Sequence, residues 1–172
     1  AIAGKQILRL GIILFGFNIS LSEIASVGTL GVIYAAFMVF ATFCFALFTA
    51  KALGLSKDSA VLIGSGASIC GAAAVMATQN EIKADANKLA IAICTVVLFG
   101  TIGMFIYPFI AKFLALTPQQ TGFFIGGSLH EVAHVVAASA AFDSTASSTA
   151  VIIKMLRVIM LVPFLFLLNF LN

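Results

Sequence analysis

Apolar residues come in long unbroken runs along this chain, separated by short segments that hold most of its charge. A helix needs about 20 mainly apolar residues to cross a bilayer core of about 30 Å, whereas the strands of a membrane barrel alternate over roughly ten. The runs here are continuous, which predicts an all-α polytopic membrane protein with about six transmembrane segments. They are drawn from Ile7 to Ser20, Gly28 to Ala50, Ser59 to Gln79, Leu89 to Ala111, Thr121 to Phe142 and Thr149 to Leu171. Between them, Ser22-Glu23 forms a turn, Lys51 and Lys57 bracket a loop, and Asp58 is placed to N-cap the third segment. The fourth segment is expected to end near Pro108.

Two segments are predicted to be discontinuous, those at about 59–79 and 121–142. The first contains Gly64-Ser65-Gly66-Ala67-Ser68-Ile69-Cys70-Gly71, and each glycine costs a helix about 1 kcal/mol relative to alanine. The second contains Gly126-Gly127-Ser128 directly before ionisable residues. In lipid, unwound backbone survives only where protein buries it or where it lines a cavity. Small residues also permit close helix packing, which is the plainer explanation of both stretches. If they are breaks, the helix N-termini that follow would turn free N–H groups toward a shared cavity and attract anions.

Composition agrees with the pattern. The chain is 62% hydrophobic and 9% charged, against about 25% charged in soluble domains. A net charge of +3, spread over nine basic residues mostly at segment ends, excludes a nucleic-acid-binding surface. With six crossings, Lys5, Arg9, Lys51, Lys57 and Lys112 fall on one side and Lys83 and Lys88 on the other, which makes the first side cytoplasmic. A re-entrant third or fifth segment would undo that assignment. Cys44, Cys70 and Cys94 all lie within apolar runs, which argues against structural disulfides.

The chemistry concentrates in two places. His130-Glu131-Val132-Ala133-His134 holds both histidines of the chain and spells H-E-x-x-H. On a continuous helix that spacing would set two imidazoles on one face beside a general base, as in a zinc protease. Catalytic zinc needs a third protein ligand, and Asp143 is the nearest remaining acid. The other place is Lys154 with Arg157, three residues apart inside the last apolar run. They either snorkel to the headgroups or stay buried with a partner, Glu131 or a transported anion.

The residues Leu8 to Phe17, Gly64 to Ala74, the S-x-H-E-V-A-x-V-V-A-A run from Ser128 to Ala138, and Lys154-x-x-Arg157 ahead of Pro163 together resemble the YeiH-like family of bacterial inner-membrane proteins labelled as sulfate exporters. The resemblance covers nearly the whole chain. It implies a multi-pass inner-membrane carrier, distantly similar in fold to the bile-acid symporter and cation/proton antiporter group, with crossed unwound helices at the substrate site. By motif it points to Ser68, Cys70, Gly71, His130, Glu131, Lys154 and Arg157. The position of His134 is more often glutamine in that family, so the zinc-like spelling reads as a local substitution. Family members are about twice this length, and the chain is expected to be one transmembrane domain, 1–172, within a larger inverted-repeat transporter.

The expectation is thus a secondary transporter or exporter of a small sulfate-like or organic anion, coupled to protons or cations, and not an enzyme. Ser65, Ser68, Cys70, Gly71, Gly127, Ser128, Lys154 and Arg157 are the candidate substrate-binding residues, and His130, Glu131 and His134 the candidate proton-coupling residues. No cofactor or metal is implied by this reading. Its partners are the anion and the lipid bilayer, with a homo-oligomer left open. The alternative is an intramembrane zinc metalloprotease built on His130-Glu131-x-x-His134.

Overall fold

The computed structural model describes residues 21–171. The first expected segment, Ile7 to Ser20, lies outside the described residues together with Lys5, Arg9 and the Leu8 to Phe17 motif. Every element among the described residues is a helix: α1 Leu21–Ala52, α2 Lys57–Ser68, α3 Ala72–Ile82, α4 Ala86–Phe113, α5 Pro118–Ser128, α6 Val132–Ser139, α7 Ser144–Ile159 and α8 Leu161–Leu171.

Three stretches are long and apolar enough to cross a membrane: Gly28–Ala52, Ala86–Phe113 and Ser144–Phe170. They correspond to the second, fourth and sixth expected segments. The last joins α7 to α8 through Met160, just ahead of Pro163, whose missing N–H is tolerated in the first turn of the new helix. The fourth does not end near Pro108: α4 continues through it to Phe113. Their outward faces carry exposed phenylalanines, among them Phe37, Phe40 and Phe48 on α1 and Phe99, Phe105 and Phe109 on α4.

The third and fifth expected segments fold differently. Neither runs straight through; each is a pair of short helices that doubles back. Asp58 at the start of α2 pairs with Lys88 at the start of α4, at 2.6 Å, so the beginning of α2 and the end of α3 share one end of the molecule. Farther along, a β-carbon on Gly66 of α2 would fall 2.5 Å from Val75 of α3 and 2.8 Å from Val96 of α4. α2 therefore rises beside α4 and α3 returns. The second pair does the same from the opposite end. Gly103 of α4 meets Leu129, Tyr107 meets Phe124 with ring centres 5.5 Å apart, and the Lys112 ammonium sits 5.7 Å from the Phe142 ring centre. α5 thus descends antiparallel to α4, and α6 comes back parallel to it.

The glycines behave otherwise than the sequence pattern suggested. Gly64-Ser65-Gly66 and Gly126-Gly127-Ser128 are helical, inside α2 and at the end of α5. The chain turns just beyond them, at Ile69 to Gly71 and at Leu129 to Glu131. Glycine is needed before the second turn for packing: a β-carbon on Gly126 would collide with the Ala150 carbonyl oxygen of α7. The folding back also changes the distribution of charge, because Lys57 and Lys88 now lie at the same end. The five-against-two count does not hold for this topology.

Helix caps follow local rules. Ser56, rather than Asp58, caps α2 by accepting from Ser59 N. Thr117 and Gln120 form a reciprocal capping box on α5. Asp143 accepts from Ala146 N at 2.8 Å and caps α7, which places it away from the histidines it was considered to join.

The α5–α7 contact is tight enough to test. Gly126→Val should lower stability by about 1–3 kcal/mol, the usual cost of overpacking, read as a reduced melting temperature in detergent. Phe48→Leu at an exposed position should leave that temperature unchanged.

Candidate functional site

The two hairpin tips meet beside the middle of α4 and against the middle of α7. Gly100 of α4 contacts the His134 ring, and Arg157 lies at the midpoint of the Ser144–Phe170 stretch. Four helix ends converge there: the C-termini of α2 and α5, and the N-termini of α3 and α6. A helix C-terminus leaves four carbonyls without intrahelical donors, and an apolar medium offers no water to satisfy them.

Lys154 and Arg157 supply those donors. Both are buried, at 0% and 1% exposure, which rules out snorkelling. Lys154 Nζ donates to the carbonyl of Ile69 at 2.6 Å and to that of Leu129 at 2.8 Å. Arg157 Nε donates to Ser68 O at 3.0 Å, and Nη2 donates to Ser68 O and Ala67 O at 2.6 and 3.0 Å. Arg157 Nη1 donates to Gly126 O, Gly127 O and Leu129 O at 3.1, 2.6 and 3.2 Å. One helix thus holds the carbonyl ends of both hairpins. The sequence pattern predicts amide ends at a shared cavity; the ends that face this lysine are carbonyl ends.

One of the two amide ends, that of α3, meets a carboxylate. Glu131 Oε1 accepts from Ala72 N, the first residue of α3, at 3.3 Å. Gly71 just before it has φ 71°, a region that side-chain-bearing residues rarely adopt, and a β-carbon there would collide with Glu131 Cγ. Glu131 is also the N-cap of α6, without a side-chain bond to it. Its Oε2 lies 4.0 Å from His134 Nε2, which is itself 3.4 Å from Thr101 Oγ1 of α4. Lys154 and Cys70 also lie within electrostatic reach of Glu131.

The expected site residues divide into those spent on structure and those turned to the junction. The hydroxyls of Ser65 and Ser68 donate to Leu62 O and Ser65 O within α2, at 2.9 and 3.3 Å. Gly127 packs under the Tyr34 hydroxyl, which donates to Phe123 O at 3.2 Å. Cys70 and Gly71 form the first tip, and Leu129, His130 and Glu131 the second, directly after Ser128. His130 precedes α6 instead of sharing its face with His134. Among the described residues, no three His, Cys, Asp or Glu side chains group as a metal site, so the geometry does not favour the zinc reading. Tyr34, Gly100 and Thr101 were missed from the sequence; a glycine at the centre of a long apolar helix was the available signal for Gly100.

A cavity of about 440 Å³ opens beside the junction, between α2 and α4, and His130 forms part of its wall.

Comparison with known proteins places these features in a wider set. A family profile described as conserved hypothetical protein 698 matches residues 1–172. The chain is 49% identical over 169 residues to the UPF0324 inner membrane protein YeiH of Escherichia coli strain K12, covering 96% of this chain and 48% of that protein. It is 46% identical over 170 residues to the UPF0324 membrane protein WS2204 of Wolinella succinogenes, covering 97% of this chain and 51% of that one. The chain therefore spans about half the length of the curated relatives it matches. No solved structure matches it.

The carbonyl clamp gives a measurable expectation. Arg157→Met leaves buried carbonyls at both tips without donors, at about 1–3 kcal/mol for each group left unpaired. The folded fraction recovered after extraction should fall sharply, and Arg157→Lys, which keeps charge but has fewer donors, should fall between.

Proposed function

The chain belongs to the conserved hypothetical protein 698 family of inner membrane proteins, and on that premise we propose that it is the core of a secondary carrier for a small anion. In this reading α2–α3 and α5–α6 are re-entrant hairpins that enter the bilayer from opposite faces. α2 has 12 residues and α5 has 11, a rise of roughly 16–18 Å at 1.5 Å per residue. That is about half of the 30 Å core, so the tips reach mid-depth, where helices broken by unwound backbone hold substrate in many carriers.

One observation carries the anionic assignment: two buried cations stand against one carboxylate at the junction. The four helix ends contribute about half a charge each, two of either sign, and cancel. A positive surplus of one remains in a region where unpaired charge is costly. An anion arriving at the tips relieves it. Lys154 and Arg157 act on that anion mainly through their field, because their hydrogen bonds go to backbone carbonyls. Direct contacts fall to Cys70, Ser128 and His130, and to the third proton of Lys154.

Proton coupling falls to Glu131, with His134 4.0 Å away and His130 preceding it. Ionised, Glu131 occupies the amide end of α3 and offsets one of the cations. Protonated, it leaves the positive surplus larger, so a proton and an anion enter together.

The test is flux in proteoliposomes. An inward proton gradient should drive accumulation of a radiolabelled anion at least tenfold above equilibrium. Glu131→Gln should abolish the gradient dependence while exchange of anion persists. Proton-driven accumulation undiminished in Glu131→Gln would remove that residue from coupling, and no flux of any anion would remove the carrier assignment.

A further inference from the structure

The two hairpins offer the same group at the same position. Ile69 is the C-cap of α2 and Leu129 the C-cap of α5, and both residues are fully buried. Their carbonyl oxygens converge on one atom, Lys154 Nζ, at 2.6 and 2.8 Å. Each oxygen belongs to a helix end that carries about half a negative charge. Glu131 and Cys70 lie within electrostatic reach of the same ammonium. Carbonyl ends of broken helices gathered around a point of positive charge are the arrangement with which carriers hold a free monovalent cation.

Arg157 does a different job. It spreads six hydrogen bonds over Nε and its two amino groups, in a planar fork that no small ion reproduces. Lys154 instead presents a compact charge on a flexible stem, and its two acceptors are the paired C-caps alone. Beyond the β-carbon this side chain has the structure of n-propylammonium. While it is in place, a free ion would find both oxygens taken and like charge from Lys154 and Arg157 beside them.

We propose that the paired C-cap carbonyls form a monovalent-cation site that Lys154 fills permanently from within the chain, so that neither Na⁺ nor K⁺ binds at the hairpin tips. The site rests on the hairpin geometry and not on anion transport. Within the carrier reading, it leaves the proton as the coupling ion.

The experiment takes the cation off its tether. Binding of radiolabelled Na⁺ and the melting temperature are measured on purified protein in detergent, with choline holding the ionic strength constant. The unsubstituted protein should bind no Na⁺ saturably and should melt at the same temperature in Na⁺, K⁺ and choline. Lys154→Ala should gain a single saturable Na⁺ site. n-Propylammonium, which restores the deleted atoms, should displace that Na⁺ and raise the melting temperature of the variant by about 5 °C at saturation. Tetramethylammonium, which has no N–H to donate, should do neither. Lys154→Met, whose side chain fills the stem channel, should melt at the same temperature with and without the amine, which excludes a general effect of amines on the fold. Should Lys154→Ala not fold alone, it is grown and extracted in n-propylammonium: recovery that depends on the amine supports the site, and recovery in neither condition overturns it. Saturable Na⁺ binding by the unsubstituted protein, or a folded Lys154→Ala that responds to neither ion, would overturn it as well. None of these readouts needs flux, so a failure here stays distinct from a failure of the carrier reading.

Discussion

The structure depends on how broken backbone is satisfied where no water can reach it. Two helices that stop halfway leave carbonyl oxygens pointing into an apolar interior, and each one left bare would cost free energy. Lys154 and Arg157, one helical turn apart on α7, donate to six of those carbonyls, those of Ala67, Ser68, Ile69, Gly126, Gly127 and Leu129. The usual objection to a buried cation is its desolvation. Here two sets of carbonyl dipoles replace the lost water, and the cations in turn make the two tips stable enough to exist. Neither half of the arrangement stands without the other.

Close packing is the second requirement, because cations on short tethers reach both tips only if the helices lie nearly in contact. Gly122 and Gly126 of α5 let it approach Thr149 and Ala150 of α7, and Gly71 lets the Glu131 side chain lie across the first tip. The same small residues that the sequence offered as helix breakers serve mostly as contact surfaces. The turns fall a few residues later, where Gly71 adopts its positive φ and where Leu129, His130 and Glu131 leave helical geometry.

Much of this was legible in the sequence, and the rest was not for definite reasons. Run length gave the helical class and the three long apolar helices, because that signal depends on composition alone. The importance of Lys154 and Arg157 was visible because charge is scarce in apolar runs. Their partners were not, since backbone carbonyls leave no mark in a sequence. Hydropathy could not separate a crossing segment from a hairpin of two half-crossings, because both need the same number of apolar residues; it took the Asp58–Lys88 pair to tell them apart. The H-E-x-x-H spelling misled for a related reason, because spacing implies a shared face only on an unbroken helix, and α6 begins after His130.

The carbonyl of Leu129 accepts from Lys154 and Arg157 at once, and those cations also hold Ser68 and Ile69 of the opposite hairpin. The two tips are therefore knotted to a single cleat. Neither tip can shift along α7 without stretching or breaking bonds that the other tip shares, so the two hairpins are fastened as one unit rather than as two independent loops.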